Sequence, residues 1–127
     1  MSFWGRIVNI SSDAGRVGSV VEPFYAAMKG GVVTFTKVVA RDVARAGVTV
    51  NTVCPGVTDT SALREVAAAR PGVIDAMTRA VPMTRAVPMR RAGQPMEEAA
   101  AVAFFASEEA IYVTGQTLSV GGGLTMV

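Results

Sequence analysis

Apolar residues change their spacing along the chain, and these changes mark the predicted elements. Arg6–Ile10 is a short β-branched run that ends in polar and glycine residues, which is typical of a buried strand. From Phe24 to about Arg45 the spacing becomes helical, and Gly47 stands where such a helix ends. The apolar residues that recur at this spacing are Val32, Phe35, Val39 and Val43. A long amphipathic helix is therefore predicted.

Four further elements complete the pattern. Val48–Cys54 is predicted as a second strand that stops before Pro55-Gly56, because proline cannot donate to a central ladder. A short helix over Ala62–Ala69, a helix from Pro95 and a last strand over Thr117–Val120 follow. The predicted buried side of the Pro95 helix consists of Ala101, Val102, Phe104 and Phe105. Alternating strands and helices predict an α/β fold with a parallel sheet covered on both faces.

One hexapeptide occurs twice in succession. Thr-Arg-Ala-Val-Pro-Met fills residues 78–83 and again residues 84–89. A repeat this short, copied once, does not predict a solenoid. We interpret it as a local duplication within a loop that tolerates insertion.

Length and composition limit the class of protein. The 127 residues are enough for one domain over residues 1–127, or for a large piece of a bigger one. Only 17% of residues are charged and the net charge is +2, which argues against nucleic acid as a partner. The start lacks a basic segment followed by a long apolar core, and no apolar run is long enough to span a bilayer. We therefore expect a cytoplasmic chain without a membrane partner.

The residue types that are absent exclude several chemistries. The chain has no histidine, which excludes Ser-His-Asp and Cys-His nucleophiles as well as His-ligated zinc, and we predict no metal site. Cys54 is the only cysteine, so no internal disulfide can form. Its apolar surroundings favour a small buried residue over a reactive one.

Ser12, Tyr25 and Lys29 are the candidate chemical groups of this chain. The Tyr-x-x-x-Lys spacing places a phenol and an ammonium one helical turn apart, where the cation favours the phenolate and makes the tyrosine a usable acid or base. Ser12 follows the carboxyl end of a predicted strand, where open α/β sheets bind ligands. Taken alone, the Tyr-Lys pair is more often a surface pair on a helix. Together with Ser12 it favours the interconversion of a carbonyl and an alcohol.

Four segments carry a family resemblance: Asn9–Ser12, Tyr25–Gly31, Val50–Gly56 and Thr114–Gly123. Through them nearly all of the chain resembles the C-terminal half of a short-chain dehydrogenase/reductase. The resemblance implies the C-terminal part of a Rossmann-like doubly wound parallel sheet that lacks the N-terminal βαβ units. It also implies an NAD(P)-dependent oxidoreductase acting on a secondary alcohol or a ketone.

The same resemblance implies roles for individual residues. Tyr25 would be the general acid/base, Lys29 would lower the pKa of Tyr25 and bind the nicotinamide ribose, and Ser12 would position the substrate carbonyl. The cofactor, NAD or NADP, would meet the backbone at Thr58 through its carboxamide and lie near Thr60 on its nicotinamide side. The implied cofactor-binding residues are Tyr25, Lys29, Pro55, Gly56, Thr58 and Thr60.

A narrower resemblance concerns the substrate. Ser12–Ser19, Pro55–Thr60 and Leu118–Met126 are similar to 2-hydroxycyclohexanecarboxyl-CoA dehydrogenases, which implies an acyl-CoA. Several arginines lie in the segment that shapes the substrate entrance in this family, and we hypothesise that some of them steer CoA phosphates. They are Arg70, Arg79, Arg85, Arg90 and Arg91. The simpler alternative is that they are solvated loop residues.

Two classes of function stay open at this point. The glycine-rich turn that admits a dinucleotide pyrophosphate is expected upstream of Met1, and Gly121-Gly122-Gly123 follows a strand without a helix after it. The chain is therefore either part of an oxidoreductase or a catalytically inactive truncated fragment or oligomerisation module without cofactor. We expect the first strand to have an unpaired edge and the chain to form homo-oligomers.

Overall fold

A three-stranded parallel sheet forms the centre of the computed structural model, which describes residues 4–73 and 83–127. Its strands lie in the order β1 (Gly5–Ile10), β2 (Val48–Pro55) and β3 (Thr117–Val120). Strand β1 runs alongside the first six residues of β2, and β3 runs alongside the last four. The α/β prediction is thus confirmed, as is its parallel sheet.

Within the described residues, five helices connect and cover these strands. They are α1 (Ala14–Val17), α2 (Pro23–Val43), α3 (Ser61–Ala69), α4 (Met83–Ala86) and α5 (Pro95–Ala106), with single 3₁₀ turns at Ala44–Ala46 and Glu108–Ala110. None of the helices within residues 4–73 and 83–127 is long and apolar enough to cross a membrane.

Helix α2 follows the sequence prediction in length but not in its buried face. Gly47, with φ of 74°, ends the 3₁₀ turn after α2, because glycine adopts the left-handed conformation without strain. The fully buried residues of α2 are Thr36 and Ala40, whereas Phe35 is 63% exposed. Thr36 is buried because its hydroxyl accepts hydrogen bonds from Asn9 Nδ2 and Thr52 Oγ1, each at 2.8 Å. Of the four apolar residues at helical spacing, Val32, Val39 and Val43 are half-buried, so the buried face is turned away from Phe35 toward Thr36 and Ala40.

Helices α2 and α5 lie on opposite faces of the sheet. Side chains alternate along a strand, so Thr52 and its neighbour in register Asn9 point to one face, where they meet α2. Arg6 is three positions before Asn9, so its side chain points to the opposite face of the sheet. There its Nε donates to the carbonyl of Ser107, just after α5. Phe105 of α5 is buried as predicted, but Phe104 remains 46% exposed. The core is thus thin and centred on β2, whose Val50, Val53 and Cys54 are fully buried.

Two element boundaries differ from the sequence prediction in an informative way. Strand β2 includes Pro55, because its carbonyl still accepts a hydrogen bond from Asp13 N even though proline has no N–H to donate. The segment between β1 and α2, for which the sequence predicted no helix or strand, contains α1. Residues 78–82 of the first hexapeptide lie outside the described residues. In the second copy Val87 is 2% exposed and packs near Gly122, so this copy is anchored to the sheet end.

Candidate active site

Ser12 lies at the carboxyl end of β1 in a loop fastened to the turn of α2 that carries Lys29. The preceding residue makes the connection: Ser11 Oγ donates to the Lys29 carbonyl at 2.7 Å. Ser12 Oγ accepts a hydrogen bond from the amide of Ala14 at 3.2 Å, which leaves its own proton available to a ligand. The loop therefore presents the Ser12 hydroxyl beside the start of α2.

Gly15 allows this loop to approach α2 closely. A Cβ atom at Gly15 would lie 2.6 Å from the Lys29 carbonyl carbon and 2.7 Å from the Gly30 nitrogen, and Gly30 in turn faces the carbonyl of Gly15. Glycine is needed at position 15, and a Cβ at Gly30 would crowd the Gly15 carbonyl at 3.1 Å, where the two backbones cross. Sequence reasoning missed this crossing, although a glycine three residues after Ser12 and another directly after Lys29 were its visible signal.

Tyr25 and Lys29 occupy the first two turns of α2 and interact there. Lys29 Nζ lies 5.7 Å from the centre of the Tyr25 ring and donates to the Ile10 carbonyl at 3.2 Å. The ammonium is thereby held between the end of β1 and the tyrosine. Tyr25 is 43% exposed, so its phenol is open to a ligand. The loop that carries Ser12 and the turns that carry Tyr25 and Lys29 therefore lie side by side at the carboxyl end of β1.

Pro55 and Gly56 end the neighbouring strand at the same edge. The Pro55 carbonyl accepts from Asp13 N, and Gly56 N donates to the Val120 carbonyl, each at 3.0 Å. A Cβ atom at Gly56 would lie 2.7 Å from the Gly121 Cα. Gly56 is thus required for the ends of β2 and β3 to pack against each other.

Two backbone groups of Thr58 point away from Gly93. It forms an isolated parallel bridge with Gly93, in which Gly93 N donates to Val57 O and Asp59 N donates to Gly93 O. In such a bridge the N–H and C=O of Thr58 point to the other side, and within residues 4–73 and 83–127 they have no hydrogen-bond partner. A free donor and a free acceptor on one residue match the two polar groups of a carboxamide.

The side chain of Thr58 bonds to a residue of α5. Its hydroxyl donates to Glu98 Oε1 at 3.1 Å. Burial raises the pKa of the Glu98 carboxyl, and its Oε2 has no partner among the described residues. Glu98 lies in the first turn of α5. Its contact with Thr58 spans 40 positions, for which neither segment carries a local signal.

Thr60 uses its hydroxyl within the chain. Thr60 Oγ1 accepts a hydrogen bond from Leu63 N at 3.1 Å and so forms the N-cap of α3. The contribution of Thr60 to a cofactor site thus rests on its position after Thr58, since the hydroxyl is already engaged as an acceptor.

The arginines proposed to meet phosphates differ in their surroundings. Arg70, Arg85, Arg90 and Arg91 are all exposed, and Arg91 also donates to both carboxylate oxygens of Glu97 at the start of α5. Arg79 lies outside the described residues. Among residues 4–73 and 83–127, no group of three or more Cys, Asp or Glu side chains is placed to hold a metal ion.

The fold and these strand ends define a class of protein. The family described as enoyl-(acyl carrier protein) reductase matches residues 1–125. The chain therefore belongs to the short-chain dehydrogenase/reductase family. The narrower likeness to 2-hydroxycyclohexanecarboxyl-CoA dehydrogenases stays a prediction.

Individual members are similar over almost the whole chain. A 3-oxoacyl-[acyl-carrier-protein] reductase of Vibrio cholerae is 45% identical over 123 residues, which are 97% of this chain and 47% of that protein. An acetoacetyl-CoA reductase of Acinetobacter is 43% identical over 122 residues, which are 96% of this chain and 46% of that protein. The chain thus spans about half the length of the curated relatives it matches.

A solved structure shows the same architecture. The TT0495 protein from Thermus thermophilus superimposes with a TM-score of 0.82 at 31% identity, over 95% of this chain and 48% of that protein. The three-stranded sheet with its helices is therefore the arrangement found in about half of a complete homologous fold.

Proposed function

We propose that the strand ends of this chain form the proton-transfer side of an NAD(P)-dependent oxidoreductase site that interconverts a ketone and a secondary alcohol. The observation that carries the proposal is the packing of the Ser12 loop on the Tyr25–Lys29 turn. Ser11 bonds the Lys29 carbonyl, and Lys29 Nζ reaches back to the Ile10 carbonyl, so the loop that carries Ser12 lies against the first turns of α2.

Each residue has a distinct task in this proposal. The Ser12 hydroxyl donates to the substrate oxygen, and the Tyr25 phenol gives a proton to that oxygen on reduction or accepts it on oxidation. Lys29, whose ammonium lies 5.7 Å from the centre of the Tyr25 ring, binds the nicotinamide ribose. A nicotinamide cofactor supplies or accepts the hydride when bound. Pro55, Gly56 and Thr60 frame its side of the site, and the N–H and C=O of Thr58, which no described residue engages, fit its carboxamide.

The proposed substrate class is a ketone or alcohol carried on an acyl thioester. Relatives are named for 3-oxoacyl-carrier-protein, acetoacetyl-CoA and (3R)-3-hydroxyacyl-CoA, all of them thioesters with oxygen at carbon 3. Exposed Arg85 and Arg90 provide positive charge for phosphates of such a carrier.

Replacing Arg90 and Arg91 should lower the rate of turnover of a CoA thioester and make that rate less dependent on salt concentration. Unchanged values would remove these residues from the substrate site.

Tyr25→Phe is the direct test of the proton-transfer role. We expect the rate of acetoacetyl-CoA reduction by the chain, measured as the oxidation of NADH or NADPH, to fall by about 10²–10⁴-fold. Cofactor binding should be kept, because the substitution removes only the phenolic hydroxyl. Tyr112→Phe is the matched control, since the only other tyrosine is fully exposed. Equal rates in the two variants would contradict the role of Tyr25.

A second candidate is an assembly module that binds no cofactor. The observation in its favour is the exposed apolar face of α2, together with the outer edge of β1, which pairs with no other strand among the described residues. Measuring NADH binding and solution mass on the same preparation separates the two candidates. Binding supports the oxidoreductase, whereas a stable oligomer without binding supports the module.

A further inference from the structure

Asp13 is an unusual neighbour for Ser12, because it is a carboxylate that is only 5% exposed. Its amide donates to the Pro55 carbonyl at 3.0 Å, which ties the end of β1 to the end of β2. Burial raises the pKa of the Asp13 carboxyl. The proposed proton-transfer chemistry does not use this side chain, so its burial needs another explanation.

The Asp13 side chain reaches the third strand. Ser119 of β3 donates its hydroxyl to Asp13 Oδ1, and Arg16 Nη1 donates to Ser119 Oγ at 2.7 Å. Arg16 also donates to the Val127 carbonyl. A single carboxylate is thus the centre of a network that joins α1, β3 and residue 127.

Two glycines make room for this carboxylate. A Cβ atom at Gly121 would lie 2.6 Å from Asp13 Oδ2, and one at Gly56 would lie 3.4 Å from the same oxygen. The carboxylate therefore fills the space between the cofactor-side loop that begins at Gly56 and the turn that follows β3. All three strand ends converge on Asp13.

We propose that Asp13 is a positioning residue that keeps Ser12, Gly56 and the segment after β3 in one fixed arrangement. Ser12 precedes Asp13 directly, so any shift of the carboxylate moves the hydroxyl that faces the substrate. Gly56 leads to Thr58, so the same shift moves the peptide groups offered to the carboxamide. The consequence for catalysis rests on the proposed function, whereas the mechanical coupling does not.

Amide hydrogen exchange on the whole chain tests the coupling. Asp13→Ala should speed exchange at the amides of residue 13 and Gly56 at least about 10-fold more than Val50→Ala, which destabilises by a buried cavity in the same sheet without touching Asp13. Asp13→Asn keeps an oxygen that accepts from Ser119 and should restore most of the protection. Ser119→Ala keeps the carboxylate but removes the hydroxyl that donates to Asp13 and accepts from Arg16, and it decides the question if Asp13→Ala fails to fold.

The results separate this proposal from the proposed function. If Asp13→Ala and Val50→Ala speed exchange equally at all amides after correction for global stability, Asp13 has no special coupling and the proposal is overturned. NADH fluorescence then measures cofactor binding by the same variants. Weaker binding by Asp13→Ala, with unchanged binding by Val50→Ala, supports both ideas. A wild-type chain that binds no NADH contradicts the proposed function, while the exchange data still decide the role of Asp13.

Discussion

At the scale of single residues, the site depends on places where a side chain would not fit. Gly15 lies against the Lys29–Gly30 backbone, and Gly56 lies against Gly121. These contacts set how closely the strand ends and α2 approach, and therefore the distance between the Ser12 hydroxyl and the Tyr25 phenol. Small residues at such crossings are as decisive for the geometry as the reactive groups themselves.

Gly15→Ala tests the closest of these crossings. We expect a loss of about 1–3 kcal/mol of unfolding free energy, since a methyl group 2.6 Å from a backbone carbon forces the loop and helix apart. Gly31→Ala is the control: nothing lies within 4 Å of its Cβ position, and alanine should stabilise α2 by up to about 1 kcal/mol. Urea unfolding of both variants measures the difference. A destabilised Gly31→Ala with an unaffected Gly15→Ala would contradict the crossing.

At the scale of elements, hydrogen bonds to Glu97 hold the start of α5 in place. Glu97 accepts hydrogen bonds from the Gln94 amide and from the Arg91 guanidinium, and these contacts lower the pKa of Glu97 to about 2. The carboxylate also lies near the positive end of the helix. Because α5 covers one face of the sheet and carries Glu98 to Thr58, the start of this helix supports the cofactor side of the site.

The Glu97 contacts predict an acid-sensitive contribution to stability. The folded pKa lies below the ordinary value of 4.5, so this contribution is complete above about pH 4.5 and is lost as the pH falls toward 2. Glu97→Gln should therefore flatten the pH dependence of the melting temperature in this window. Glu65→Gln removes a charge from an exposed position on α3 and serves for comparison. Parallel curves for wild type and Glu97→Gln would contradict the prediction.

At the scale of the whole molecule, the main feature is the apolar surface left uncovered. Large side chains form a stripe at helical spacing on the outer face of α2, which is the opposite of what an isolated surface helix shows. The exposed members of this stripe are Phe24, Met28, Phe35 and Val38. The stripe and the outer edge of β1 both favour association with another polypeptide.

Replacing one stripe residue tests self-association. We expect the wild-type chain to sediment as an oligomer and Phe35→Glu to shift it toward the monomer, because a charge in the centre of an apolar contact must be desolvated. Lys37→Glu changes an exposed residue on the same helix outside the stripe and should leave the mass unchanged. A monomeric wild-type chain at micromolar concentration would mean that copies of this chain do not cover the stripe.

Local sequence patterns were sufficient to predict most elements. The last strand was predicted without error, and the long helix and both other strands within two residues of their ends, because hydrophobic spacing, Gly47 and Pro95 act over one or two turns. The buried face of α2 could not be predicted in this way. Thr36 is inside and Phe35 outside because Asn9 and Thr52 supply hydrogen-bonding groups from two distant strands.

The sequence by itself determined the candidate chemistry: Ser12, Tyr25 and Lys29 were recognisable because their spacing is short and their residue types are specific. Only the tertiary structure decided what holds them in place. Asp13 meets Ser119, and Thr58 meets Glu98, across separations of 106 and 40 positions. Contacts at such separations depend on how parallel strands align their carboxyl ends, which is a property of the assembled sheet and not of any segment alone.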